Sequence, residues 1–171
     1  MYQLKTRAKL DRMLASNPFS FVNVRHPFER LVSAYTHLRH SEWFTHLANK
    51  TCAEFLTEVV LKEASISTNK KKMEKMNQNW RPYNALCAFC SYNYSLISKT
   101  ETFAEDEFHV RTVLGLQDRK QKKLGVTAGD KINNLTKQCF QEITDEERRT
   151  LLDLYKYDFE MFGYNPDIYL G

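Results

Sequence analysis

The segment Phe19-Ser20-Phe21-Val22-Asn23-Val24-Arg25-His26-Pro27-Phe28-Glu29-Arg30-Leu31-Val32-Ser33-Ala34-Tyr35 gathers two arginines and a serine around one junction. Phe19 to Val24 is a short apolar run rich in β-formers and reads as a buried strand. It delivers Arg25 to its C-terminal end. Pro27 then suits the first turn of a helix, because its missing N–H is one the helix does not need there. A guanidinium fork beside a helix N-terminus, with backbone N–H groups free to donate, is a site for an anion. Ser33 lies inside that helix. Either its hydroxyl serves a ligand, or it is a surface serine bonding back to the preceding turn. Spacing alone leaves both open, and the surface serine is the commoner case. Arg30 has a partner at hand in Glu29 or another carboxylate.

Other groups carry weaker signals. Four cysteines occur, Cys52, Cys87, Cys90 and Cys139. The C-x-x-C pair of Cys87 and Cys90 fits half a zinc site, a redox pair or disulfide partners. No second C-x-x-C or closely spaced histidine pair completes a zinc site, so no metal is expected. If all four cysteines pair, three connectivities remain open. Three N-glycosylation sequons begin at Asn49, Asn93 and Asn134, a weak sign of secretory exposure that agrees with disulfides. Lys70, Lys71, Lys72 and Lys75 form one basic cluster; Arg119, Lys120, Lys122 and Lys123 form another. Such clusters attract polyanions, or are simply solvated loops.

The elements that must position these groups follow from periodicity. Residues 3–15 read as a helix broken at Asn17-Pro18. After the strand ending at Val24, Phe28, Leu31, Val32, Tyr35 and Leu38 recur at helical spacing to about His40. Thr51-x-x-Glu54 is a capping box for a helix to about Glu63. Residues 65–79 are polar and lysine-rich, a loop or an exposed helix. Tyr92 to Ile97 reads as a second strand. Glu101 to Leu114 reads as a helix stopped by Gly115. Residues 116–135 read as a basic loop. Thr144-x-x-Glu147 caps a last helix, which Gly163 stops. Strands alternating with helices indicate an α/β layer structure.

Composition narrows the choice. The chain has 171 residues and a formal net charge of +4, too mild for the basic stripe of a nucleic-acid binder, so no nucleic-acid partner is expected. It holds five glycines, the first at Gly115. That excludes the glycine-rich phosphate loops G-x-G-x-x-G and G-x-x-x-x-G-K-[ST], where backbone must approach phosphate closely. The N-terminus has no apolar signal core, and no stretch approaches a membrane span.

The motif Arg25-x-Pro27-Phe28-x-Arg30-Leu31-Val32-Ser33-Ala34-Tyr35 resembles the 3′-phosphate-binding motif of Golgi carbohydrate sulfotransferases, in the group containing the chondroitin 4-O-sulfotransferases and the HNK-1 sulfotransferase, with its nematode relatives. Trp80-Arg81-Pro82 through Cys90, followed by Tyr92 to Thr102, is similar to that family's tryptophan, C-x-x-C, strand and Lys-x-Glu block. Leu154 to Tyr164 resembles its C-terminal helix. The resemblance implies a P-loop-NTPase-like sulfotransferase fold, α/β, with a parallel sheet flanked by helices. It implies 3′-phosphoadenosine 5′-phosphosulfate (PAPS) as donor, with Arg25 and Ser33 on its 3′-phosphate. It also implies a sugar hydroxyl of a glycan or proteoglycan, anionic or neutral, as acceptor, with no metal. The implied location is the Golgi lumen, as a type II membrane protein. In that lumen the cysteines would be oxidised, Cys87 and Cys90 to each other or to Cys52 and Cys139.

Two departures from the family pattern shape the expectation. The Pro-Lys-x-Gly-[CST] loop that grips the 5′-phosphosulfate has no counterpart, since the chain contains no Pro-Lys pair. Asn79 precedes Trp80 where relatives often carry histidine. His26, His37, His40 and His46 are the nearest candidates for a base, and none is assigned; the catalytic residue is unknown. Residues 1–171 are therefore expected to be a single, partial sulfotransferase domain, lacking its N-terminal part and membrane anchor and inactive or weakly active alone. The alternative is a non-catalytic phosphoadenosine- or glycan-binding module.

Overall fold

Two four-residue strands lie side by side and parallel: β1 (Phe21–Val24) and β2 (Leu96–Lys99), in register Phe21 to Leu96 and Val24 to Lys99. The structure, a computed structural model, describes residues 19–66, 73–87, 89, 93–116 and 129–170. The helix read over residues 3–15 lies outside them. The described residues divide into two compact units, one containing both strands and the other beginning at Arg25.

In the first unit, Ser20 and Ser95 set where strand pairing begins. The Ser95 N–H donates to the Ser20 carbonyl at 2.8 Å, and the Ser20 N–H donates to the Ser95 hydroxyl at 3.1 Å. Among the described residues the second strand starts at Leu96, just after this pair of serines. Thr100 closes the far end, donating to the Val24 carbonyl at 3.1 Å. The β1 strand is less buried than its sequence suggests. Val24 is fully covered, but Phe21 on β1 and Ile97 on β2 are each 45% exposed. A 3₁₀ turn (Thr100–Thr102) leads into α1, here designated Phe103–Val113, which ends at Leu114. Gly115 follows with φ +65°, a left-handed conformation that favours a residue without Cβ.

The second unit is helical. Its helices are numbered from α2 (Pro27–Leu38), with Pro27 in the first turn. Phe28, Leu31, Val32, Tyr35 and Leu38 are buried along one stripe, as the spacing predicts. A kinked 3₁₀ segment (Glu42–Leu47) follows. The Thr51–Glu54 capping box then opens α3 (Cys52–Glu54), which widens into a π-helical stretch (Phe55–Leu61) and returns to α-helix as α4 (Lys62–Ile66). The wider pitch brings Phe55 and Val60, five residues apart, to the same buried side. Beyond it Met76 and Trp80 are buried, so the segment read as loop or exposed helix contributes to the core at its end. Then come α5 (Tyr83–Leu86), α6 (Gly129–Gln141), α7 (Asp145–Phe162) and α8 (Asp167–Leu170).

Residues 129–135, expected as basic loop, belong to α6. Gly129, Asn133 and Asn134 are weak helix formers, which hid the helix. It forms because Ile132, Thr136, Cys139 and Phe140 recur at helical spacing and are buried. Phe140 meets Phe28 with ring centroids 4.3 Å apart. The Cys52–Cys139 disulfide, with Cα atoms 5.5 Å apart, joins α3 to α6. Thr144 and Glu147 form the predicted capping box on α7, and Gly163 ends that helix at φ +60°.

Candidate functional site

Arg25 lies two residues before Pro27, the first residue of α2, and Ser33 is in the middle of that helix. His26 is the N-cap residue of α2 and is buried, not a surface histidine. Its ring lies edge-on to Phe28, Phe159, Tyr164 and Tyr169, with centroids 4.9 to 5.7 Å away. Its Nε2 is 3.1 Å from the Asn165 carbonyl, to which it donates. These contacts tie the residue after Arg25 to the chain that leaves α7. They also give His26 a packing role. His37, His40 and His46 are exposed.

The helix that follows carries no side-chain cap at its N-terminus. Its first-turn N–H groups therefore keep their donor capacity and the positive end of the helix dipole. Glu29, whose charge would oppose an anion there, is turned to the Tyr169 hydroxyl, which donates to its Oε1 at 2.5 Å.

The two arginines have different fates. Among the described residues Arg30 pairs with neither Glu29 nor another carboxylate. Its Nη2 donates to the Gln78 carbonyl at 3.1 Å, and its guanidinium stacks 4.1 Å above the centre of the Tyr83 ring. Arg25 is half-buried, and its guanidinium has no hydrogen bond or ion pair among the described residues. Ser33 is half-buried on the side of α2 opposite the Phe28–Leu31–Tyr35 stripe. Its carbonyl accepts from the Thr36 hydroxyl at 3.0 Å. Among the described residues its own hydroxyl makes no bond back to the preceding turn.

Beneath these residues lies a polar network that sequence reading missed. Asp158 on α7 is fully buried. Its Oδ2 accepts the Tyr83 N–H at 2.7 Å and its Oδ1 accepts the Asn84 N–H at 3.1 Å, capping α5 from 74 to 75 residues away. Burial pushes the Asp158 carboxyl above the usual carboxylate range, against those two N–H groups and the Arg30 charge. The Tyr155 hydroxyl donates to the Trp80 carbonyl, and burial raises its pKa. The Trp80 indole donates to Glu63 Oε2 at 2.5 Å. Asn79 accordingly stands in a tight turn, where its N–H and side-chain amide both donate to Asn77 Oδ1 at 2.9 and 2.8 Å. One signal was available: Asp158 occupies the apolar stripe of α7, at helical spacing from Leu151, Tyr155 and Phe162.

The remaining candidates sort as follows. Of the open disulfide connectivities, the structure forms Cys52–Cys139. Cys87 is half-buried, and burial pushes its thiol up to about 11; Cys90 lies outside the described residues. Asn49 and Asn93 are exposed. Asn134 is exposed too, but it sits within α6 and its sequon partner Thr136 is buried, donating to the Ile132 carbonyl at 2.7 Å. Of the two basic clusters, Lys75 alone is described, and it is exposed. Among the described residues no helix is long and apolar enough to cross a membrane.

Comparisons with known proteins agree with the motif. Rat carbohydrate sulfotransferase 11 is 27% identical over 168 residues, covering 88% of this chain and 48% of its own. Chicken carbohydrate sulfotransferase 10 is 28% identical over 175 residues, covering 90% and 49%. Human carbohydrate sulfotransferase 9 is 26% identical over 167 residues, covering 84% and 37%. The chain thus spans about half or less of the length of these relatives. No solved structure matches. The sequence profile of the sulfotransferase family matches residues 1–165, a span that includes β1, the Arg25–Ser33 junction and all of α7. A parallel two-stranded sheet in a helix-rich chain is consistent with an α/β sulfotransferase fold, and the chain belongs to the sulfotransferase family.

Proposed function

We propose that this protein works in carbohydrate O-sulfation with PAPS as donor, and that Arg25 and Ser33 hold the donor's 3′-phosphate. The observation that carries the reading is the Arg25 guanidinium, without a partner among the described residues, at the uncapped start of α2, where Arg30 and Glu29 are already committed to other partners. The acceptor is a hydroxyl on a glycan or proteoglycan, of which chondroitin is one candidate. In the reaction that oxygen attacks sulfur in line and the bond from sulfur to the phosphoadenosine oxygen breaks. Negative charge then gathers on the leaving phosphate, and the hydroxyl proton passes to a base. Arg25, Ser33 and the α2 N–H groups serve binding and orientation, by charge-assisted hydrogen bonds to the phosphate remote from sulfur. The grip on the phosphosulfate and the base are assigned to no residue here, and no metal is invoked. Residues 1–171 act as one partial sulfotransferase domain. The Cys52–Cys139 disulfide suits an oxidising compartment such as the Golgi lumen, with the protein held by an anchor outside these residues. Glycans on Asn49 and Asn93 fit the same setting.

A second reading is a phosphoadenosine- or glycan-binding module without turnover. Titration calorimetry with adenosine 3′,5′-bisphosphate tests the site shared by both. Arg25→Ala is expected to weaken binding at least about tenfold and Ser33→Ala about fivefold. Binding unchanged by Arg25→Ala would remove the assignment. Sulfate transfer from PAPS to chondroitin then separates enzyme from module.

A further inference from the structure

We propose that Tyr169 is a positioning residue for the phosphate site: its hydroxyl holds the Glu29 carboxylate away from the N–H groups at the start of α2. The inference rests on the phosphate-site reading above and adds the contact that keeps that site open to an anion.

Glu29 is the third residue of α2, after Pro27 and Phe28, with His26 as N-cap. A glutamate at that position can reach back and accept the N-cap N–H. Two other helices of this chain show it doing so. Glu54 is third in α3, and its Oε2 accepts the Thr51 N–H at 2.6 Å. Glu147 is third in α7, and its Oε2 accepts the Thr144 N–H at 2.7 Å. A carboxylate in that place takes up a donor and sets a negative charge where the helix dipole would otherwise favour a phosphate. In α2 the same residue type turns elsewhere, to the Tyr169 hydroxyl at 2.5 Å.

Tyr169 is itself well fixed. It is buried, and its ring packs against His26, Phe28 and Phe140, with centroids 4.9, 6.4 and 6.3 Å away. Its N–H donates to the Pro166 carbonyl at 3.1 Å. One residue before that proline, the Asn165 carbonyl accepts from His26 Nε2 at 3.1 Å. Ring and backbone are therefore anchored to the same end of α2 whose charge the hydroxyl controls. Phenylalanine would supply the ring packing; the hydroxyl is what reaches Glu29.

The test compares affinities for adenosine 3′,5′-bisphosphate and adenosine 5′-monophosphate, which differ only at the 3′ position. The wild type, Tyr169→Phe, Glu29→Ala and the double variant Tyr169→Phe/Glu29→Ala are titrated with each. Alanine is chosen at 29 because glutamine, though neutral, can still cap the helix. Tyr169→Phe is expected to lower bisphosphate affinity about fivefold and to leave monophosphate affinity within about twofold of wild type. Glu29→Ala should bind the bisphosphate at least as well as wild type, and the double variant should recover to within about twofold of it. That rescue is the decisive reading, because a packing defect at 169 is not repaired by deleting a carboxylate. Tyr169→Phe binding the bisphosphate like wild type would refute the proposal. So would a loss that persists in the double variant, or one that falls equally on both ligands. If the wild type itself shows no preference for the bisphosphate, the phosphate-site reading fails and takes this one with it.

Discussion

Asp158 shows how a single buried group couples this site to pH. It is fully buried, accepts two backbone N–H groups, and has its pKa raised by burial above the ordinary 3.8. A carboxyl whose native pKa lies above its unfolded value binds more protons when folded across that interval. Stability at this position is therefore greatest at or below pH 3.8 and falls as pH rises towards the native pKa. Asp158→Asn cannot titrate. It retains one acceptor oxygen and sets an amide against the second N–H, a loss of about 1–3 kcal/mol near pH 4. The lead of the wild type over Asp158→Asn in urea midpoints should then shrink between pH 4 and pH 7. A lead that widens with pH would mean that the N–H groups and Arg30 outweigh burial. At the same scale, the types and spacing of Arg25 and Ser33 were legible, because anion chemistry needs those groups beside a helix start. The partners of Arg30 were not. Gln78 and Tyr83 are 48 and 53 positions away by residue number, and only packing brings them to Arg30.

At the scale of elements, local signals were reliable and distant ones were not. The capping boxes at Thr51 and Thr144 and the stop at Gly163 each depend on a few adjacent residues, and each formed as read. The α6 helix escaped notice because its sequence opposes it locally and its stabilisation is tertiary. Part of that stabilisation is the Cys52–Cys139 disulfide, which joins positions 87 residues apart. Constraining so long a loop in the unfolded chain is worth on the order of 4–5 kcal/mol by chain entropy, with about 2–4 kcal/mol commonly measured. Reduction should accordingly lower unfolding stability by about 2–4 kcal/mol, and Cys52→Ser/Cys139→Ser should match the reduced wild type. The α6 amides should lose hydrogen-exchange protection in the same variant. A urea midpoint indifferent to reductant would show that this pairing does not carry the helix.

For the molecule as a whole, the distribution of core decides which parts open first. The main buried cluster, from Phe28 through Trp80 to Tyr169, consists entirely of residues of the second unit. The strand unit has two strands of four residues each, with Phe21 and Ile97 both 45% exposed. Two-stranded sheets have little independent stability, since each backbone bond is backed by few buried side chains. The α/β class was legible from the alternation of elements, but this imbalance was not, because an apolar strand looks the same in sequence whether or not something covers it. Hydrogen exchange in the intact protein should therefore protect amides of α2 and α7 at least about tenfold more than those of β1 and β2. Adenosine 3′,5′-bisphosphate should raise protection first at residues 25–33, where the proposed phosphate site lies, and leave β2 little changed. Equal protection of strands and helices would mean that the cooperative unit extends beyond the helical core. A ligand effect centred on β2 instead would move the binding site away from Arg25.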